Sequence, residues 1–371
     1  MKALVTDKST RGTNRRSFVT KGLLAGTATV GAGLIAGKPA SGQALTAPTR
    51  GDIAILRFLA AAELIEADMW DQYAELGGLT PGQLPVETAP FTPMNSYQAA
   101  FMNLDPDGPQ YISSNTLDEQ SHVAFLNAYL ESKGAPGVNF DEFRTLPSSQ
   151  ADGARNIGRL TNLMKINVDT SWYTRYRSST NPDFGATYPQ AITLTNVPAI
   201  PRTNADFGLS NIQAIANIAA FHFGTIEQGG SSLYATLGQK VSNVEVLKIT
   251  MSIGGEEVAH FLEWVDFAGN SVQPPVAPLA AANGLPGFPN FDLTVNPLLQ
   301  TNLIFPVPCK FISPNLPKCA VIRPTAQGQI DALGAAKAFI AMGIFVGQSP
   351  KFIEFLLELA VEADAAQRTI Y

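Results

Sequence analysis

Two of the three histidines in this 371-residue chain stand in one pattern. His122 follows Glu119 in LDEQSHVAFL (117–126), and His260 follows Glu257 in GGEEVAHFLEW (254–264). On an α-helix, positions three apart share a face about one turn from each other. A glutamate and a histidine so spaced aim an oxygen and a nitrogen at one point. Carboxylate combined with imidazole suits iron, manganese or zinc. One E-x-x-H arises by chance in many helices, but two copies in a chain this poor in histidine point to a metal site. The third histidine, His222, lies outside the pattern and reads as a hydrogen-bonded core residue.

The elements that must position these residues can be read from apolar periodicity. Apolar side chains recur at three and four through 52–78, which Gly77 and Gly78 close, so the stretch is expected to be a helix. A second helix is expected over 115–134, started by Asn115 or Thr116 and stopped by Gly134. A third is expected over 209–238 and a fourth over 243–269. Between them, 80–110 reads as a Pro-rich loop, and 151–176 as a further helix inside a mixed segment. Residues 270–325 carry many prolines and no helical pattern, and 326–371 reads as two helices broken near Pro350.

The chain also repeats itself. EADMWDQYAELG (66–77) and EQGGSSLYATLG (227–238) both read E, six residues, then Y-A-x-L-G. The following helices carry D-E-Q-S-H and E-E-V-A-H. A duplicated helical hairpin is implied, and with a long connection between its copies a four-helix bundle with one crossover. The glutamates and histidines fall in the order E, E-x-x-H, E, E-x-x-H: Glu66, Glu119 with His122, Glu227, Glu257 with His260. Di-iron and di-manganese carboxylate bundles use this order, one Glu from each of two helices and E-x-x-H from each of the other two. Burying four carboxylates without a metal would be costly, because like charges repel and shift toward protonation. Glu63, one turn before Glu66, is the alternative ligand or a nearby base. Asp118 and Glu256 adjoin the motif glutamates but point about 100° away, which places them at the surface. Tyr73 and Tyr234 share the face of Glu66 and Glu227, where they pack in the core or donate to a carboxylate.

The sequence resembles the ferritin-like superfamily, and within it the extracytoplasmic ferritin-like proteins that include the plant desiccation-related proteins. The resemblance lies in LRFLAAAELIEADMWDQY, where two glutamates three apart precede an aromatic residue, and in the two E-x-x-H motifs. It covers about 52–78, 115–134 and 209–269. It implies an all-α, left-handed four-helix bundle with a dinuclear site, iron or manganese. The inserts at 80–110, 135–205 and 270–325 depart from compact ferritins and count against a hollow storage shell.

The composition, 45% hydrophobic and 15% charged, is ample for a large core. A formal charge of −6 argues against nucleic acid or an anionic membrane as partner. AAKAFIAMGIFVG (335–347) is too short to span a bilayer, which takes ~18 or more apolar residues. Residues 1–44 read as an export signal: Arg15 and Arg16 precede an uncharged stretch (22–37) and small residues before Ala44, the expected cleavage point. The twin arginine is of the bacterial Tat type, implying a periplasmic or secreted protein. This segment holds seven basic residues and one acid, so its removal leaves the mature chain near −12. In an oxidising compartment Cys309 and Cys319 are expected to form a disulfide. The organisation expected is thus 1–44 signal, 45–270 helical bundle with inserts, 271–325 Pro-rich segment with the cysteine pair, and 326–371 C-terminal helices packing on the bundle. Two functions fit: a di-metal oxidoreductase acting on oxygen or peroxide, and a non-enzymatic desiccation, stress or envelope scaffold that sequesters metal or keeps a vestigial site. Iron storage fits less well, and a homo-oligomer is compatible with either of the two.

Overall fold

Thr49 and Asp52 start the first helix, α1 (Arg50–Gly77), by capping each other's backbone N–H groups. The computed structural model describes residues 47–79, 93–177, 189–291, 306, 308–309, 312–321 and 331–369. The expected export signal lies outside them. Asp52 is itself buried, and its second oxygen accepts from the N–H groups of Ser242 and Asn243. That bond ties the start of α1 to the turn between two later helices, α6 (Ile212–Gly238) and α7 (Val244–Asn270). The turn is short because Asn243 caps α7 at once, accepting from Glu245 and Val246. α6 and α7 therefore form an antiparallel hairpin.

The second hairpin is looser. α1 packs along α3 (Gly108–Ser132), and a short helix, α2 (Ser96–Leu104), lies in the connection that reads as a loop from sequence. Asn95 caps α2, and the buried Tyr97 donates to the carbonyl of Ala199. α3 begins at Gly108, not at Asn115, because Pro109 sits in the first turn, where its missing N–H costs nothing. Asn115 is interior to the helix and buried.

Residues 151–176 are not a helix. Their backbone donors go elsewhere: Leu160 and Thr161 give their N–H groups to the buried carboxylate of Asp68 on α1, and Arg159 pairs its backbone with Leu146. The segment then forms a strand, β1 (Ile166–Val168), and a short helix, α4 (Ser171–Arg177). β1 pairs antiparallel with β2 (Leu194–Val197), with Ile166 opposite Val197 and Val168 opposite Leu194. A single turn, α5 (Asn204–Phe207), leads into α6.

Two C-terminal helices complete the chain, α8 (Ala332–Ala341) and α9 (Pro350–Asp364). α9 packs on α1, and Asp364 accepts from the first N–H groups of α8 and from Lys240. The fold is mostly helical, and one apolar core runs through all four long helices. Among the described residues of 271–325 there is no helix, and none of the described helices is long and apolar enough to cross a membrane.

The cysteine expectation is corrected here. Cys309 and Cys319 are separate thiols. Cys309 is buried, its carbonyl closing a turn with the N–H groups of Ile312 and Ser313, whereas Cys319 is exposed.

Candidate metal centre

Residues three and four apart along α1, α3, α6 and α7 put five carboxylates in one place: Glu63, Glu66, Glu119, Glu227 and Glu257, none more than 4% exposed. His122 and His260 are buried beside them. The ligand atoms of Glu63, Glu119, His122 and Glu257 all lie within 4.8 Å of one another. Those of Glu119, Glu227 and His260 do the same, as do those of Glu66, Glu227 and Glu257. All six sequence-predicted residues therefore converge, and Glu63 joins them. Between the two candidates on α1, Glu63 is the one facing a histidine, with Oε2 3.4 Å from His122 Nδ1. Glu66 faces Glu227 and Glu257 instead.

His122 Nδ1 is hydrogen-bonded to Glu119 Oε2 at 3.1 Å, but most of the other facing atoms are not bonded. His260 Nδ1 is 3.1 Å from Glu119 and 3.3 Å from Glu227, yet its direction makes a hydrogen bond to neither. Glu63 Oε2, Glu66 Oε1, Glu227 Oε2 and both oxygens of Glu257 are buried without hydrogen-bond partners. Among the described residues no lysine or arginine pairs with any of these carboxylates. Buried polar atoms are normally satisfied, so orphaned oxygens gathered at one point are suited to a cation. The arrangement can hold a metal ion.

The electrostatics agree. Burial, and then the neighbouring carboxylates, hold Glu66 and Glu257 well above the usual carboxylate range. Burial and the charge of Glu227 push Glu119 up to about 8, against the pull of both histidines. Burial opposes the charge on His122, but its bonds to Glu119, Glu256 and Glu63 push it up to about 12. His260 moves the same way, burial again opposing and Glu227 leading the causes that raise it. Protons thus gather where positive charge is missing. A divalent cation would displace them.

Contacts from Asn115, Glu256, Asp118 and Tyr234 orient the cluster. Asn115, a helix cap by its sequence, donates from inside α3 to Glu119 at 2.9 Å and Glu227 at 3.2 Å, while Trp264 Nε1 donates to its carbonyl at 2.7 Å. Glu256, read as a surface residue, reaches the Nε2 atoms of both His122 (3.4 Å) and His260 (2.6 Å). Burial works against its charge, but those two contacts hold it down to about 2. Asp118 stands 3.5 Å from His260 Nε2. Their 100° offset is real, but the imidazole rings extend outward to meet them, so each His presents Nδ1 inward. Tyr234 donates to Glu63 Oε1, whereas Tyr73 donates to His222 Nδ1 at 2.6 Å.

Two packing features close the site. Gly230 lies where a Cβ would sit 2.0 Å from Glu257 Oε2, so a helix-interior glycine, about 1 kcal/mol worse than alanine, lets that carboxylate approach α6. One turn from the cluster, Trp70, Phe223 and Trp264 stack at 4.6–5.3 Å between ring centres. No family model, curated protein or solved structure matches this chain. Its geometry alone carries the chemistry.

Proposed function

We propose that the chain is a ferritin-like four-helix-bundle protein whose centre binds two divalent ions, iron or manganese, and reacts with oxygen or peroxide. The observation that carries this reading is the convergence of buried glutamates and histidines in which five carboxylate oxygens and His260 Nδ1 have no hydrogen-bond partner. Glu63, Glu119, His122 and Glu257 would hold one ion; Glu119, Glu227 and His260 would hold the other, with Glu66 beside Glu227 and Glu257. Glu119 takes part in both sets and would be shared between the ions. Iron or manganese bound there supplies one-electron redox chemistry toward a small oxidant.

The chain's own residues set the conditions for that chemistry. Glu256 faces the outer nitrogen of each histidine, at 3.4 Å for His122 and 2.6 Å for His260, which keeps Nδ1 turned to the carboxylates. Tyr234 holds one oxygen of Glu63 and leaves the other directed at His122. The aromatic layer of Trp70, Phe223 and Trp264 excludes water from one end and strengthens every charge interaction inside.

The test is elemental analysis of purified protein, followed by oxygen and peroxide consumption by the loaded form. Two ions per chain with oxidant turnover are expected. Two ions with no turnover of either oxidant would favour the sequestering scaffold instead. As part of the same proposal, the protein is exported through the Tat-type signal at Arg15 and Arg16. Changing both to lysine should leave unprocessed precursor in the cytoplasm, and export of a normally cleaved variant would refute it.

A further inference from the structure

A cavity of about 440 Å³ reaches the centre from the side opposite its histidines. Its walls come from α1, α6, α8 and the β1–β2 ribbon, while His122 and His260 stand on α3 and α7 and do not line it. The volume is in the range of small-molecule sites, roughly 300–1,000 Å³. Most of the wall is apolar: Ala62, Leu194, Ile226, Leu233, Phe339 and Met342.

The charged lining is of one sign. Glu63, Glu66 and Asp169 line the cavity, and among the described residues its lining includes no lysine, arginine or histidine. The described lining thus offers an organic anion no neutralising charge. Glu66 is 4% exposed, and its Oε1 has no hydrogen-bond partner. A buried acceptor at the edge of an apolar chamber is matched by a molecule with an apolar body and one donor.

We infer that the cavity binds a small, uncharged, largely apolar molecule bearing a hydroxyl group, with the hydroxyl held against Glu66 beside the centre. That this molecule meets bound metal rests on the function proposed above; that it binds does not. Two residues make the cavity easy to fill. Gly229 lines the cavity and a Cβ there would meet nothing within 4 Å, so Gly229→Phe has room at its root and better helix propensity. Ala335→Trp would fill it from the opposite wall.

The experiment uses 4-fluorobenzyl alcohol as probe, observed by fluorine NMR. Metal-free protein should broaden its signal, and either filling variant should weaken the effect at least tenfold. 4-Fluorobenzoate should bind at least tenfold more weakly than the alcohol. Protein loaded with Mn(II) should broaden the bound alcohol several-fold more than protein loaded with Zn(II), because the probe lies beside the paramagnetic ion. The inference is overturned if metal-free protein leaves the alcohol unaffected, if both variants broaden it as wild type does, or if benzoate binds equally well. Equal broadening by the Mn(II) and Zn(II) forms would overturn the placement beside the centre. Elemental analysis of the same samples separates the two ideas: protein that takes up no metal refutes the proposed function, while the metal-free arm still decides the cavity.

Discussion

His222 and His122 are both buried side chains in one core, yet their surroundings drive them in opposite directions. His222 is fully enclosed between Tyr73, whose hydroxyl is 2.6 Å from Nδ1, and Met342, whose sulfur is 3.4 Å from Nε2. Burial alone holds its pKa down to about 3, so it is a neutral, satisfied core residue. His122, among Glu63, Glu119, Glu256 and Glu257, is pushed up to about 12 although burial opposes the charge. The difference teaches that burial does not make a metal site. A surplus of carboxylates with unbonded oxygens gives a cation something to bind.

The contrast predicts unequal mutants. The largest effect should follow His260→Ala, which removes the nitrogen facing Glu119 and Glu227. Bound metal should fall from two ions per chain to one or none, measured by elemental analysis, with the helical circular dichroism unchanged. His222→Ala should leave metal content at the wild-type level. A smaller effect is expected from Glu256→Gln, which touches only the outer nitrogens of the two histidines. Loss of such an outer partner typically costs ~10–100-fold in metal affinity, and a competition assay with a chelating dye would measure it. Affinity unchanged by this substitution would remove Glu256 from the account.

Stability against pH should separate the regions next. Glu119, raised from the usual 4.5 to about 8, binds its proton more tightly when folded, so its stabilising effect fades as pH climbs toward 8. His122, also raised, contributes stability that is full below 6.5 and declines above it. His222 and Glu256 are depressed and lose stability only on the acid side, His222 between about 6.5 and 3 and Glu256 between about 4.5 and 2. Between pH 6.5 and 8 the falling contributions stand alone. Metal-free protein should therefore melt lower at pH 8 than at pH 6.5, by roughly 5 °C given a few °C per kcal/mol. Metal-loaded protein should lose this trend, because bound ions replace the protons. The smallest effect belongs to Tyr73→Phe. It leaves His222 Nδ1 unsatisfied, at about 1–3 kcal/mol in denaturant unfolding, with metal content unchanged.

Much of the centre was legible because helical spacing is rigid. Glu119 with His122 and Glu257 with His260 can share a target only on helices, and the matched Y-A-x-L-G segments identified Glu66 and Glu227 as their companions. What spacing could not show is depth. Glu63 and Glu66 lie three apart on one face, and only the position of α3 decides that Glu63 meets His122. Asn115 has the composition of a cap, so its role inside α3, bonding Glu119 and Glu227, was hidden by a propensity that is correct on average. Glu256 is half-exposed, as its angle implies, but the reach of two imidazole rings to it was not counted. Elsewhere, residues 151–176 look helical locally, and the carboxylate of Asp68, far away in sequence, takes the backbone donors that a helix would need. The cysteine pair failed in the same way: ten residues apart in sequence, but one sulfur inside and the other at the surface.

The central claim, that these orphaned atoms are the ligands of two metal ions, is tested most directly by metal stoichiometry. Protein purified without chelators and then supplied with Mn(II) or Fe(II) under anaerobic conditions should hold two ions per chain. Replacing Glu119 with alanine should remove both, since it lies in both ligand groups. A wild-type protein that stays below a tenth of an ion per chain after such loading would contradict the account.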